Sequence, residues 1–189
     1  VEFPVNLLSN NPGLSYQVNL NNSVQSLEYE FVRAIKSLTS KKIEKIAFIE
    51  GHGELSARET FDLAAALKTD YATDRIRIDG KLNALVSRVL TDSSNQEFKI
   101  VPKYAAIIIA QPDSLFSGKD RFIIDQYIMY GGKVMWLIDP VIASMDSIQF
   151  AESSMAVENP IDLQGQLFTY GVRLNNDLVM DLNALPIPI

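Results

Sequence analysis

Residues 45–59 read KIAFIEGHGELSARE, and the architecture is worked out from this stretch. Lys45-Ile-Ala-Phe-Ile-Glu50 is a short, unbroken apolar run that ends in a carboxylate, the pattern of a strand covered on both faces of a parallel sheet. Gly51-His-Gly53 follows as a tight turn, and Ser56-Ala-Arg-Glu59 has the Ser-x-x-Glu form of a capping box at a helix start. Phe61, Leu63, Ala64, Leu67 and Tyr71 then recur at helical spacing.

The same grammar repeats outward from this unit. Ala105-Ala-Ile-Ile-Ile-Ala110 predicts a second buried strand, stopped by Gln111-Pro-Asp113. Ser117 to Asp120 predicts a helix cap, with Phe122, Ile123, Tyr127 and Tyr130 along the inner side and Gly131-Gly132 as the stop. Lys133-Val-Met-Trp-Leu-Ile138 predicts a third buried strand, ending at Asp139-Pro140. Asp74–Ile78 alternates and reads as a more exposed strand, Leu82–Leu90 as a short helix, and Thr91–Gln96 as a polar, mobile connection. Ala143–Asn159 is polar and irregular, Ile161–Tyr170 reads as helix capped by Gly171, and Leu178–Met180 as a last strand.

Strands alternating with amphipathic helices specify an α/β domain: an open, mostly parallel sheet with helices on both faces, flavodoxin-like or Rossmann-like in arrangement. Residues 1–22 read as a peripheral strand and loop. Residues 23–189 read as a single α/β domain that opens on a helix over Val24–Leu38, with Ser23 as its cap. The start at Val1 and the abrupt end at Ile189 read as a fragment of a longer chain.

Composition narrows the function classes. A net charge of −6 gives no clustered Lys and Arg with which to release counterions from nucleic acid, and argues against adhesion to an anionic lipid surface. The absence of cysteine removes disulfides, thiolate metal sites and cysteine nucleophiles together. No apolar run approaches the ~20 residues needed to cross a bilayer.

Ligands of open parallel sheets bind beyond the carboxyl ends of the strands. That edge collects Glu50, His52, Glu54, Gln111, Asp113 and Asp139 as the candidate ligand-binding residues, with His52 the only histidine. Gly51-x-Gly53-x-x-Ser56 partly mimics a dinucleotide fingerprint, but Glu50 and Glu54 would repel a phosphate. No paired histidines support a metal site, and no Gly-x-Ser-x-Gly elbow supports covalent catalysis. The sequence therefore predicts neither a catalytic residue nor a cofactor nor a metal. The glycines are equally explained by a turn that needs positive φ, and His52 by a hydrogen bond that fixes it.

Leu27-Glu-Tyr-Glu-Phe31, Lys45-Ile-Ala-Phe-Ile-Glu-Gly-His-Gly-Glu-Leu55, Gln126-Tyr127 through Gly131-Gly-Lys-Val134, Leu137-Ile-Asp-Pro140 and Tyr170-Gly-Val172 with Asp177-Leu-Val179 together resemble the gliding-motility GldG proteins. The resemblance runs from about Asn22 onward. It implies an auxiliary, extracytoplasmic component of an ABC-type transport system, associated in bacteria of the Bacteroidetes type with gliding and surface secretion. It implies a fold related to class I glutamine-amidotransferase-like and flavodoxin-like domains, shared with an intraflagellar transport protein. It implies a domain on the periplasmic side of the cytoplasmic membrane, anchored by flanking helices absent from this chain. The implied partners are transporter membrane and ATPase subunits, with gliding or secretion components or a surface saccharide beside them. Active amidotransferases use a cysteine, which this chain lacks, so the expected role is binding or scaffolding without catalysis. The alternative is a saccharide receptor or degenerate hydrolase using the loop around His52.

Overall fold

The computed structural model describes residues 7–8, 10–39, 43–92, 97–143 and 155–178. The chain divides into two compact units, residues 1–43 and 44–189. The smaller holds one long helix, α1 (Tyr16–Thr39). It starts earlier than the apolar spacing predicts: Ser15 Oγ accepts from Val18 N at 3.4 Å, as a cap does. Ser23 instead sits inside α1, where its hydroxyl donates to Asn19 O at 2.7 Å. The polar Asn-Leu-Asn-Asn segment read as loop is therefore helical, because the turns on either side of it carry the helix through. The strand expected at the N-terminus lies almost wholly outside the described residues.

The larger unit is built on four parallel strands in the order β2-β1-β5-β6, with β1 at Lys45–Glu50, β2 at Ala72–Arg77, β5 at Ala106–Ala110 and β6 at Lys133–Leu137. Register runs Ile46↔Thr73 to one side of β1 and Ile46↔Ala106 to the other, then Ile107↔Val134 between β5 and β6. Alternate residues of β1 and β5 face opposite ways and make two cores. Ile46, Phe48, Ile108 and Ala110 pack with Leu63, Ala64 and Leu67 of helix α2 (Phe61–Leu67). Ala47, Ile49, Ile107 and Ile109 pack with Ile123, Ile124 and Tyr127 of α3 (Gly118–Met129) and Leu167 of α4 (Gln164–Thr169). Helices thus cover both faces, as an α/β open sheet requires. Each fully buried Ile of β5 contributes ~1.5–3 kcal/mol through its removal from water.

Three local readings are corrected. Leu82–Leu90 is not a helix: a turn leads into β3 (Val86–Asp92), which pairs antiparallel with β4 (Glu97–Pro102) as a separate ribbon. Leu82, Leu85, Val86, Val89 and Leu90 fit helical spacing, but so short a window cannot separate the two periods, and pairing with β4 decides for the strand. β6 is not buried on both faces. Its residues alternate: Val134 and Trp136 pack toward the α3 side, while Met135 and Leu137 are exposed on the other face, where the core under α2 covers β1 and β5 but does not reach β6. The capping box forms in part: Glu59 Oε2 accepts from Ser56 N at 2.8 Å and Ser56 Oγ at 2.7 Å, yet residues 57–60 are a turn and α2 begins at Phe61.

Other expectations hold. Ser117 caps α3 by accepting from Asp120 N at 3.1 Å, and Gly131 closes the helix at φ +90°. Tyr127 is core, fully buried, with its hydroxyl donating to Tyr104 O at 2.9 Å. Short strands β7 (Val141–Ile142) and β8 (Val157–Glu158) pair beyond the end of β6. Residues 93–96 and 144–154, and most of the strand expected at Leu178–Met180, lie outside the described residues.

Candidate functional site

The chain leaves β1 toward β2 on one side, while β5 lies on the other. This is the point where strand order reverses, and the place where doubly wound sheets hold their ligands. Loops after β1, β5 and β6 bring Glu50, His52, Glu54, Gln111, Asp113 and Asp139 to the same edge, as the sequence predicts for a parallel sheet.

His52 is 5% exposed, and both its ring nitrogens are engaged. Nδ1 lies 3.1 Å from Glu54 Oε1, and Nε2 lies 3.2 Å from Asp120 Oδ2. One face of the ring stacks on Phe116, with centroids 3.9 Å apart and planes 8° from parallel. The carboxylates are held in turn. Glu54 Oε2 accepts from His52 N at 2.7 Å, while Asp120 takes Gly80 N at 2.8 Å and Ser117 Oγ at 2.8 Å.

The electrostatics follow from this arrangement. Burial opposes a charge on His52, but its hydrogen bonds to Glu54 and Asp120 and their negative charge outweigh that, holding its pKa above the ordinary 6.5. Burial likewise pushes Glu54 up, and the His52 ring and backbone N–H overcome it, so Glu54 falls below the usual value. Asp120 is pushed up by burial and brought down further by Gly80 N–H, Ser117 and His52. Each ring nitrogen thus faces a carboxylate acceptor, an arrangement satisfied in full when both carry a proton and the imidazolium donates to Glu54 and Asp120. Neither nitrogen is free to accept a proton from a substrate. The carboxylates sit on opposite nitrogens rather than converging, and among the described residues no group of three His, Asp or Glu side chains is placed to hold a metal ion.

The two loops at the switch point are tied to each other. His52 O accepts from Asp113 N at 3.1 Å and Ser114 N at 3.0 Å, and Leu55 N donates to Ala110 O at 2.9 Å. Gly53, at φ +75°, lies so close to Asp113 that an added Cβ would stand 1.4 Å from Asp113 Oδ1. The requirement for glycine is thus both conformational and steric.

The remaining candidates serve neighbouring joints. Glu50 pairs with Arg75 Nε, and Arg75 also donates to Thr60 Oγ1 at 2.8 Å and Leu55 O at 2.7 Å, which locks the entry to α2. Gln111, at φ +50°, donates through Nε2 to Asp139 Oδ2. Asn159, 2% exposed, donates to both Pro112 O and Asp139 O at 3.0 Å and so joins the ends of β5 and β6. His52 and Glu54 are therefore brought together, Gln111 and Asp139 form a second pair, and Glu50 and Asp113 have other partners.

Asp120, Phe116, Arg75 and Asn159 were not among the residues picked out by sequence. Asp120 had a usable signal, since Ser117-x-x-Asp120 starts the helix after β5 and so brings a carboxylate to this edge. Asn159 and Phe116 carried none.

Residues 44–189, the whole larger unit, match the family described as an ABC-type uncharacterized transport system. The chain belongs to this auxiliary ABC-transport family. Membership gives it an accessory role in an ABC-type transport system. Neither a curated protein nor a solved structure matches the chain.

Proposed function

We propose that this member of the auxiliary ABC-transport family is a non-enzymatic binding or scaffolding domain, extracytoplasmic and carried by a membrane-anchored protein of the gliding-motility or surface-secretion type. The observation that supports a non-catalytic role is the state of His52. The lone imidazole at the switch point is stacked on Phe116 and held at both nitrogens by Glu54 and Asp120. A general base or nucleophile partner needs an accessible nitrogen within reach of substrate, and this one has none. The loops that would flank a ligand spend the backbone donors of Leu55, Asp113 and Ser114 on each other. Among the described residues no helix is long and apolar enough to cross a membrane, so anchoring falls to segments outside them. The gliding assignment and the periplasmic location rest on the resemblance carried by the Gly51-His-Gly-Glu54 segment.

The test is cross-linking in native membranes followed by pull-down of the tagged full-length protein. Recovery of the membrane and ATPase subunits of one ABC transporter is expected. Recovery of neither, under conditions that preserve that transporter, overturns the partner assignment. An intact fold with turnover of any glycoside or amide that His52→Gln abolishes would overturn the non-enzymatic reading.

A further inference from the structure

An opening lined by none of the His52-edge residues lies elsewhere in the domain. It is a cleft of about 530 Å³ between the β3–β4 ribbon and α3, within the ~300–1,000 Å³ range of small-molecule sites. Two walls shape it. Val86 and Arg88 share one face of β3, and Ile100, opposite Arg88 in register, joins them from β4. Phe122 on α3 and Tyr130, the residue that caps its C-terminus, face the cleft from the other side. Buried Ile123 and half-buried Val86 and Ile100 make an apolar floor, while Phe122 and Tyr130 are 51% and 41% exposed as aromatic walls.

Charge gives the cleft a sign. The protein carries a net −6, yet no acidic residue lines this opening; its charged groups are Arg88 and Lys103. Both are exposed. Lys103 Nζ donates to Asn83 O, which orients the ammonium at the rim, and Arg88 has no ion-pair partner among the described residues. An apolar floor under a cationic rim is complementary to one kind of guest: an apolar or aromatic body bearing a single anionic head.

We propose that this cleft is a binding site for a small organic carboxylate of that build, its ring or chain against Phe122 and Tyr130 and its head at Arg88 and Lys103. The site uses none of the His52 residues and does not depend on which transporter the domain serves.

The probe is 2-naphthaleneacetate, titrated into the 189-residue chain and followed by two-dimensional amide NMR, with 2-naphthaleneacetamide as the uncharged match. The acid should give saturable shifts confined to the backbone of residues 86–88, 100–103 and 122–130. The amide should bind about tenfold more weakly, equivalent to ~1.4 kcal/mol. Arg88→Glu, an exposed change that leaves the rest of the spectrum in place, should remove the preference for the acid. Phe122→Ala should weaken acid and amide together. The proposal is overturned if the acid gives no saturable shift, if acid and amide bind alike, or if the shifts map elsewhere. It is also overturned if Arg88→Glu leaves the preference intact, or if only an acidic, apolar peptide occupies the cleft.

Discussion

Replacing His52 with glutamine tests whether the imidazolium acts as a clamp. Glutamine can donate to one carboxylate but cannot serve both, and it brings no positive charge. The Glu54 side chain is 1% exposed and the Asp120 side chain 10%, so both negative charges would stay largely out of water without their cation. Breaking a buried ion pair from one side costs ~3–5 kcal/mol. Here Glu54 keeps the backbone N–H groups of residues 52 and 54, and Asp120 keeps Gly80 N–H and the Ser117 hydroxyl. The loss should therefore fall at the lower end, about 3 kcal/mol, which for a domain of this size lowers the melting temperature by roughly 6–12 °C.

The pH dependence has a definite sign. A histidine whose folded pKa is raised adds stability that is complete below its unfolded value of 6.5 and is lost as pH climbs through the folded value. Glu54 and Asp120, both depressed, add stability above their ordinary values of 4.5 and 3.8 that is lost as pH falls through the folded ones. Urea unfolding of the wild type should thus weaken on the alkaline side of 6.5, and that weakening should be absent in His52→Gln. A variant within about 1 kcal/mol of wild type, with the alkaline slope unchanged, would refute the clamp.

Three other changes probe the surrounding joints. Gly53→Ala should cost about 1–2 kcal/mol from its left-handed backbone alone, and pairing it with Asp113→Ala should recover only the steric remainder; calorimetry of the two variants separates the parts. Asn159→Ala leaves Pro112 O and Asp139 O without their donor and should lower stability by about 1–3 kcal/mol in urea titration, with m unchanged. Tyr127, whose pKa burial pushes up to about 12, should be the last tyrosine to ionise in a spectrophotometric titration, and Tyr127→Phe should remove that late step.

Much of the fold was legible because β1 and β5 are apolar on consecutive residues, a pattern only a doubly covered strand requires. The glycines and the Ser117 cap added the punctuation. β3 escaped because Val86, Val89 and Leu90, with Leu82 and Leu85 just ahead of them, satisfy helical spacing, and what fixes it as a strand is a partner beyond it in sequence. β6 was read too deep because a run such as Val-Met-Trp-Leu does not reveal how far the helix on each face of the sheet extends. At the site, the shared edge followed from the parallel strands, while the partners of His52 did not. Asp120 lies 68 residues from His52, and a contact at that range depends on the β1–β5 register rather than on any motif.

The peptide oxygen of His52 takes the N–H groups of both Asp113 and Ser114. One acceptor thus shields two exchangeable hydrogens, and a single displacement of the 51–53 turn would expose both together. In hydrogen–deuterium exchange these amides should therefore behave as one paired reporter of loop separation, rising in step in any variant that loosens the turn. Separate rates would mean that the β5 loop frays on its own while the turn stays put.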